Sequence, residues 1–181
     1  MAAPALRRLA WIGAALLAAG TIFTLATHGR RPESGLARFE PAGVMVEIQP
    51  ERVREVEVAS GAQRWRFARA AEDRWTALDA TQPPADWASR IDAGLRFLSV
   101  SAPQRVMRRE EYAGTPLSEF GLAPPRFVVR VQTSDAAPVV IEFGSSNPQG
   151  LAQYARVAGR TELFLLPRFV GEQWEKATGL R

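Results

Sequence analysis

After residue 43 apolar and polar residues alternate with a period of two. Val44, Val46 and Ile48 alternate with Met45 and Glu47, Val56 and Val58 with Glu55 and Glu57, and Trp65 and Phe67 with Arg64, Arg66 and Arg69. With "RWTAL" (74–78), these read as three or four short antiparallel strands, one face on a core and one in water. Ser60-Gly61 and Glu72-Asp73 mark the turns. The period then becomes helical. Thr81, Pro83 and Pro84 stand at a helix start, and Trp87, Ile91, Gly94, Leu95 and Leu98 follow at spacings of three and four. An amphipathic helix is predicted over 84–99, lying on the sheet.

The second half repeats this order. "FVVRVQT" (127–133), "PVVIEFG" (138–144), "QYARVAG" (153–159) and "TELFLLP" (161–167) are predicted strands, with turns at Asp135, "SSNPQG" and Gly159-Arg160. Residues 168–179 place Phe169, Val170, Gln173, Trp174 and Ala177 at helical spacing, with Gly179 as the stop. The expected fold class is α+β: antiparallel sheet or sheets with two amphipathic helices on one face. The halves, about 44–100 and 127–179, carry the pattern of a strands-then-helix duplication.

Between them lies "TPLSEFGLAPPRF". Thr115 reads as a helix N-cap, Pro116 as the first helical residue and Leu117–Phe120 as one short turn. Gly121 is the left-handed stop, and Pro124-Pro125 hold the chain extended into the next strand. A rigid corner is predicted, and it needs no ligand to explain it.

The chain opens differently. Leu9–Thr27 is a run of 19 residues without a charge, flanked by Arg7 and Arg8 before it and His28, Arg30 and Arg31 after it. As a helix it reaches about 28 Å, close to the hydrocarbon thickness of a bilayer. Two fates compete, a retained transmembrane anchor and a signal peptide cleaved after Gly20 or Ala26. The length of the run favours the anchor. The expectation is a cytoplasmic tail over 1–8, an anchor over 9–27, a polar linker over 28–43 and an extracytoplasmic domain over 44–181, held by a single pass in a bacterial inner membrane. Ala10, Ala14 and Ala18 make a small-residue row, which alanine abundance alone explains.

Charge changes the picture by subtraction. The net charge of +4 invites a nucleic-acid reading, but Arg7, Arg8, Arg30 and Arg31 flank the apolar run. Removing those four from 23 Lys and Arg leaves 19, against 19 Asp and Glu, so the domain is neutral. The most basic stretch, "RVMRREEY" (105–112), is cancelled in place by Glu110 and Glu111. No nucleic-acid partner is expected. The absence of cysteine excludes disulfides and thiol chemistry.

Candidate chemistry is sparse. His28, the single histidine, sits at the membrane border, which leaves no triad and no multi-histidine metal site in the domain. The carboxylate neighbours Glu72/Asp73 and Glu110/Glu111 are not spaced to share a proton and read as turn residues. "GSSNPQG" (144–150) lacks the lysine and the following helix of a phosphate loop. Trp65, Trp75, Trp87 and Trp174 fall on apolar stripes and read as core. Arg66, Arg130 and Arg156 read as a solvated sheet face crossed by ion pairs to Glu55, Glu57 and Glu142. No catalytic, cofactor-binding or metal-ligating residue is assigned.

A Gly-Leu and then Pro before a strand ("EFGLAPPRFVVRV"), a strand ending in Gly ("VVIEFG") and then "YARVAGRTELFLLP" resemble the bacterial family called domain of unknown function 4340. "RWTAL" and a helix ending in "LRFLSV" fit as well, so the resemblance spans roughly 44–170. It implies a membrane-anchored extracytoplasmic protein, with ABC-type transport or gliding-motility assemblies as the setting of some members. No catalytic residues come with it. The reading is a non-enzymatic, membrane-tethered module that contacts an envelope protein, an ABC-type transport component among the candidates. The alternatives are a binding module for a small apolar or lipid ligand and, last, a hydrolase working through Glu110 and Glu111.

Overall fold

The computed structural model describes residues 48–70, 74–79 and 82–180. The anchor, the linker, Val44–Glu47, Glu72-Asp73 and Thr81 lie outside the described residues. Neither helix among the described residues is long and apolar enough to cross a membrane.

Eight strands form one antiparallel sheet: β1 (Val53–Ser60), β2 (Gln63–Arg69), β3 (Trp75–Ala77), β4 (Arg105–Met107), β5 (Phe127–Thr133), β6 (Val139–Ser146), β7 (Ala152–Val157) and β8 (Leu163–Pro167). Their spatial order is β3-β2-β1-β5-β6-β7-β8-β4. Each half is a meander, and the two join where β1 pairs antiparallel with β5, Val56 opposite Val131 and Val58 opposite Val129. The expected halves therefore share one sheet. The first strand begins at Val53, and Ile48, expected at the end of an earlier strand, is a buried residue ahead of a short 3₁₀ turn (Pro50–Arg52).

Two helices, α1 (Trp87–Val100) and α2 (Arg168–Thr178), pack on each other and cover one sheet face. The core is what the period-two pattern required. Val56, Val58, Trp65, Phe67, Phe127, Val129, Ile141, Phe143, Phe164 and Leu166 meet Ile91, Leu95, Leu98, Val170, Trp174 and Ala177 in one cluster. Phe67 stacks on Trp87 at 4.9 Å and Phe127 on Phe143 at 4.7 Å. Gly94 has a packing role: a Cβ there would lie 2.7 Å from the buried indole ring of Trp174. α1 begins at Trp87, later than the pattern placed it, while Gly179 ends α2 with φ of 76° as read.

β4 has no counterpart in the sequence reading. After α1 the chain crosses to the far edge, where Val106 stands opposite Phe164. The corner then returns it to the centre of the sheet. Pro116, not Thr115, is the N-cap residue of the Leu117–Phe120 turn, because its extended backbone (φ −68°, ψ 146°) precedes the first helical residue. Gly121 is left-handed (φ 66°), and the amide of Leu122 donates to the carbonyl of Leu117 at 2.9 Å. Leu122, Tyr112, Met107 and Leu163 form a second, smaller core with Phe120 and Tyr154 packed on it. Leu163 precedes Phe164 of the helix-side core and stands opposite Met107, so this cluster lies on the other sheet face.

Candidate functional site

Strand pairing brings the predicted charged face together. Glu57 of β1 stands between Arg66 of β2 and Arg130 of β5. Glu142 of β6 faces Arg156 of β7, 2.6 Å away in an ion pair. Arg66 turns to Asp79, which accepts from its guanidinium at 3.2 Å and from its backbone amide at 2.6 Å. Positive and negative charges interleave across the strands, so the face presents no uniform cationic field.

Glu111 is not a free carboxylate. It accepts the amide of Arg108 at 2.9 Å and the guanidinium of Arg105 at 2.6 Å. These two interactions, the amide first, hold its carboxyl below the usual carboxylate range. A general acid needs the opposite shift. Glu110, its neighbour, points to solvent. Asp86, ahead of α1, is likewise held low, chiefly by Arg90, whose Nε donates to it at 2.7 Å. Among the described residues no three His, Asp or Glu side chains gather as a metal site.

The "GSSNPQG" segment carries the β6–β7 hairpin. Asn147 organises it: its Oδ1 accepts the backbone amides of Leu151 and Ala152, each at 3.0 Å, while its own backbone amide donates to the carbonyl of Ala152 at 2.8 Å. The strand register shifts between Phe143 and Ser146, a bulge at the foot of this hairpin. Gly144 lies in it, and a Cβ there would come within 2.1 Å of the carbonyl oxygen of Phe120. Gly121 in turn approaches the amide nitrogen of Ser145, which a Cβ would reach at 2.6 Å. The two glycine motifs, "FGL" and "EFG", thus meet in space, and each permits the other's backbone to come close.

Beside the bulge lies a polar cluster the sequence did not disclose. Gln153, Gln173, Glu175 and Thr178 are buried. Gln153 donates to the carbonyl of Gly144 at 2.9 Å and accepts from Arg168 at 3.2 Å. Glu175 accepts from Arg168 and forms an ion pair with Arg126, 3.0 Å from its Nε. Gly171 admits the Gln153 amide, which a Cβ would meet at 2.0 Å. A buried charge needs such partners, and these hold α2 onto β5, β6 and β7. The cluster is an internal brace: both arginines are committed to Glu175.

Trp65, Trp75 and Trp174 are in the core and Trp87 packs against it, as their stripes indicated. The indole nitrogens of Trp65 and Trp174 are buried with no protein acceptor.

A family model described as a domain of unknown function (DUF4340) matches residues 84–178, just over half of the chain. The match starts at Pro84, so "RWTAL" and the first meander lie outside it, and it extends through α2, past the span the motifs suggested. No curated protein and no solved structure matches the chain.

Proposed function

The chain belongs to the family of domain of unknown function 4340, and on that premise we propose that it is a non-enzymatic, membrane-tethered extracytoplasmic module serving an envelope or transport assembly. One observation carries the reading: an uncharged run of 19 residues, Leu9–Thr27, followed by a polar linker and an electrically balanced α+β domain. The chemistry of the domain is in keeping with it, since Glu111 of the one candidate carboxylate pair among the described residues is held by the guanidinium of Arg105 and the backbone amide of Arg108. Intact mass of the membrane-extracted protein and protease access in spheroplasts test the topology. A mature chain starting at Thr21 or Thr27, or a domain digested only after lysis, would overturn it. Pull-down in gentle detergent tests the assembly role, and recovery of the free monomer alone under several conditions would count against it.

The second reading, a binding module for a small apolar or lipid ligand, has one observation in its favour. The indole N–H groups of Trp65 and Trp174, both in the core shared by sheet and helices, are buried without an acceptor, which a bound ligand would supply. Native mass spectrometry of the purified chain distinguishes the two: a mass equal to the bare polypeptide removes the ligand.

A further inference from the structure

Four of the five exposed large apolar side chains among the described residues lie toward the helix layer, and the fifth, Leu78, follows β3 at the opposite sheet edge. Leu151, Val100, Phe169 and Val106 are 69%, 54%, 44% and 37% exposed. The ring of Phe169 meets Phe97 edge-on at 4.9 Å. Val100 follows Phe97 by one turn of α1, and the carbonyl of Leu151 accepts the amide of Arg168 at 2.9 Å, which sets the hairpin tip beside Phe169. Val106 stands opposite Phe164, a residue of the helix-side core, and so belongs to the helix side of the edge strand. Single exposed apolar residues need no explanation, but a connected group with two aromatic rings does.

Two further features bear on what covers this surface. The first is its rim. Arg96 lies one turn before Val100 on the same helix face. Apolar side chains with an arginine beside them suit a lipid headgroup surface, where the rings enter the acyl boundary and the cation meets phosphates. The second is the tether. The described domain begins at Ile48, buried in the core that α1 helps to form. Residues 28–47 separate it from the apolar run. Whatever their conformation, these 20 residues span at most about 70 Å, so an anchored domain never leaves the neighbourhood of the bilayer.

We infer that the Phe97–Val100–Phe169–Leu151 surface seats the domain on the headgroup layer of the membrane that holds residues 9–27. The inference rests on the anchor reading and deepens it: the helix layer faces lipid, and the opposite sheet face, with its interleaved Arg66, Glu57, Arg130, Glu142 and Arg156, is left for a protein partner.

The chain has no cysteine, so each introduced one is a unique label site. Phe169→Cys, Val100→Cys and Leu151→Cys, with Arg64→Cys and Asp135→Cys as controls, are spin-labelled in the full chain. The chain is reconstituted into vesicles of phosphatidylethanolamine and phosphatidylglycerol, and far-UV circular dichroism checks each fold. The first three labels are expected to be more accessible to oxygen than to a water-soluble nickel chelate, and the controls the reverse. Co-flotation of the chain with vesicles while all five labels stay aqueous overturns the seat and leaves the anchor standing. Failure to co-float overturns both. Dipolar broadening between labels at residue 169 of two copies would show a protein-covered surface and overturn the lipid assignment.

Discussion

Replacing Gly94 with alanine poses a sharp question because two effects oppose each other. Gly94 lies inside α1, where glycine is less favourable than alanine by about 0.8–1 kcal/mol. On propensity alone Gly94→Ala would stabilise the protein by that amount. The added Cβ, however, would lie 2.7, 2.8 and 2.9 Å from Cζ2, Cε2 and Cη2 of Trp174, a side chain with no solvent exposure. A buried indole cannot swing aside, so α1 and α2 must separate, and overpacking of this kind costs about 1–3 kcal/mol or more. The net expectation is destabilisation by about 1–2 kcal/mol. Trp174→Phe removes Cζ2 and the rest of the offending ring edge while leaving a cavity of its own. In that background Gly94→Ala is expected to change sign and stabilise by about 0.5–1 kcal/mol, giving a coupling of about 1.5–3 kcal/mol. Urea unfolding of the four proteins, full chains in mild non-ionic detergent followed by circular dichroism, measures the cycle. Stabilisation by Gly94→Ala in the native background, or additivity of the two changes, would refute the packing argument.

Three other changes probe separate parts of the fold. Gly144→Ala, whose Cβ would meet the carbonyl oxygen of Phe120 at 2.1 Å, is expected to lower stability by about 2 kcal/mol or more in the same assay, and Gly114→Ala, with open space around it, to be near neutral. Glu175→Ala leaves Arg168 and Arg126 without their shared carboxylate and should cost about 1–3 kcal/mol, less than a fully buried pair because Arg126 is partly solvated; an unchanged urea midpoint would show that the brace contributes nothing. Glu111 has a folded-state carboxyl held below its unfolded value, so its contribution is complete above the ordinary glutamate range and is lost as the pH falls through the lower folded value. Glu111→Gln should therefore be less stable than the native chain at neutral pH, with the gap narrowing in acid, and a gap independent of pH between about 2 and 7 would contradict this assignment.

What the sequence disclosed follows from the range of each signal. The strands around Val56, Trp65, Val129 and Ile141 are legible because a half-buried strand writes its period into consecutive residues. So is α1 through Ile91, Leu95 and Leu98. The stop at Gly121 is legible because few residues adopt its left-handed backbone. β4 is not: three residues with one buried side chain, Met107, carry no period, and the strand exists only because β8 offers it an edge. Glu175 is hidden for a similar reason. A glutamate in an amphipathic helix reads as solvated until Arg126, remote in sequence, is known to lie beside it. Phe169 errs in the other direction, since it keeps the helical spacing of core residues yet is 44% exposed. The joining of the halves through β1 and β5 was equally beyond local pattern, because period two says which face is buried and nothing about which neighbour pairs.

The seam between β1 and β5 also sets an order of events during synthesis. β1, β2, β3 and α1 leave the ribosome first, yet the inner edge of β1 has no partner until the chain has continued past the corner into Phe127–Thr133. β4 waits longer still, since its partner β8 is the last strand made. A chain threaded across a membrane from its amino end would meet the far side with an unfinished sheet and an open strand edge, the state in which β proteins are most prone to aggregate. The loop closures that end this state join remote segments, so folding should be slow for a domain of this size. In stopped-flow refolding, truncation of Val129 at the seam is expected to slow folding, whereas truncation of Met107 in β4 should chiefly speed unfolding. Equal slowing by both would mean that the far edge forms with the centre.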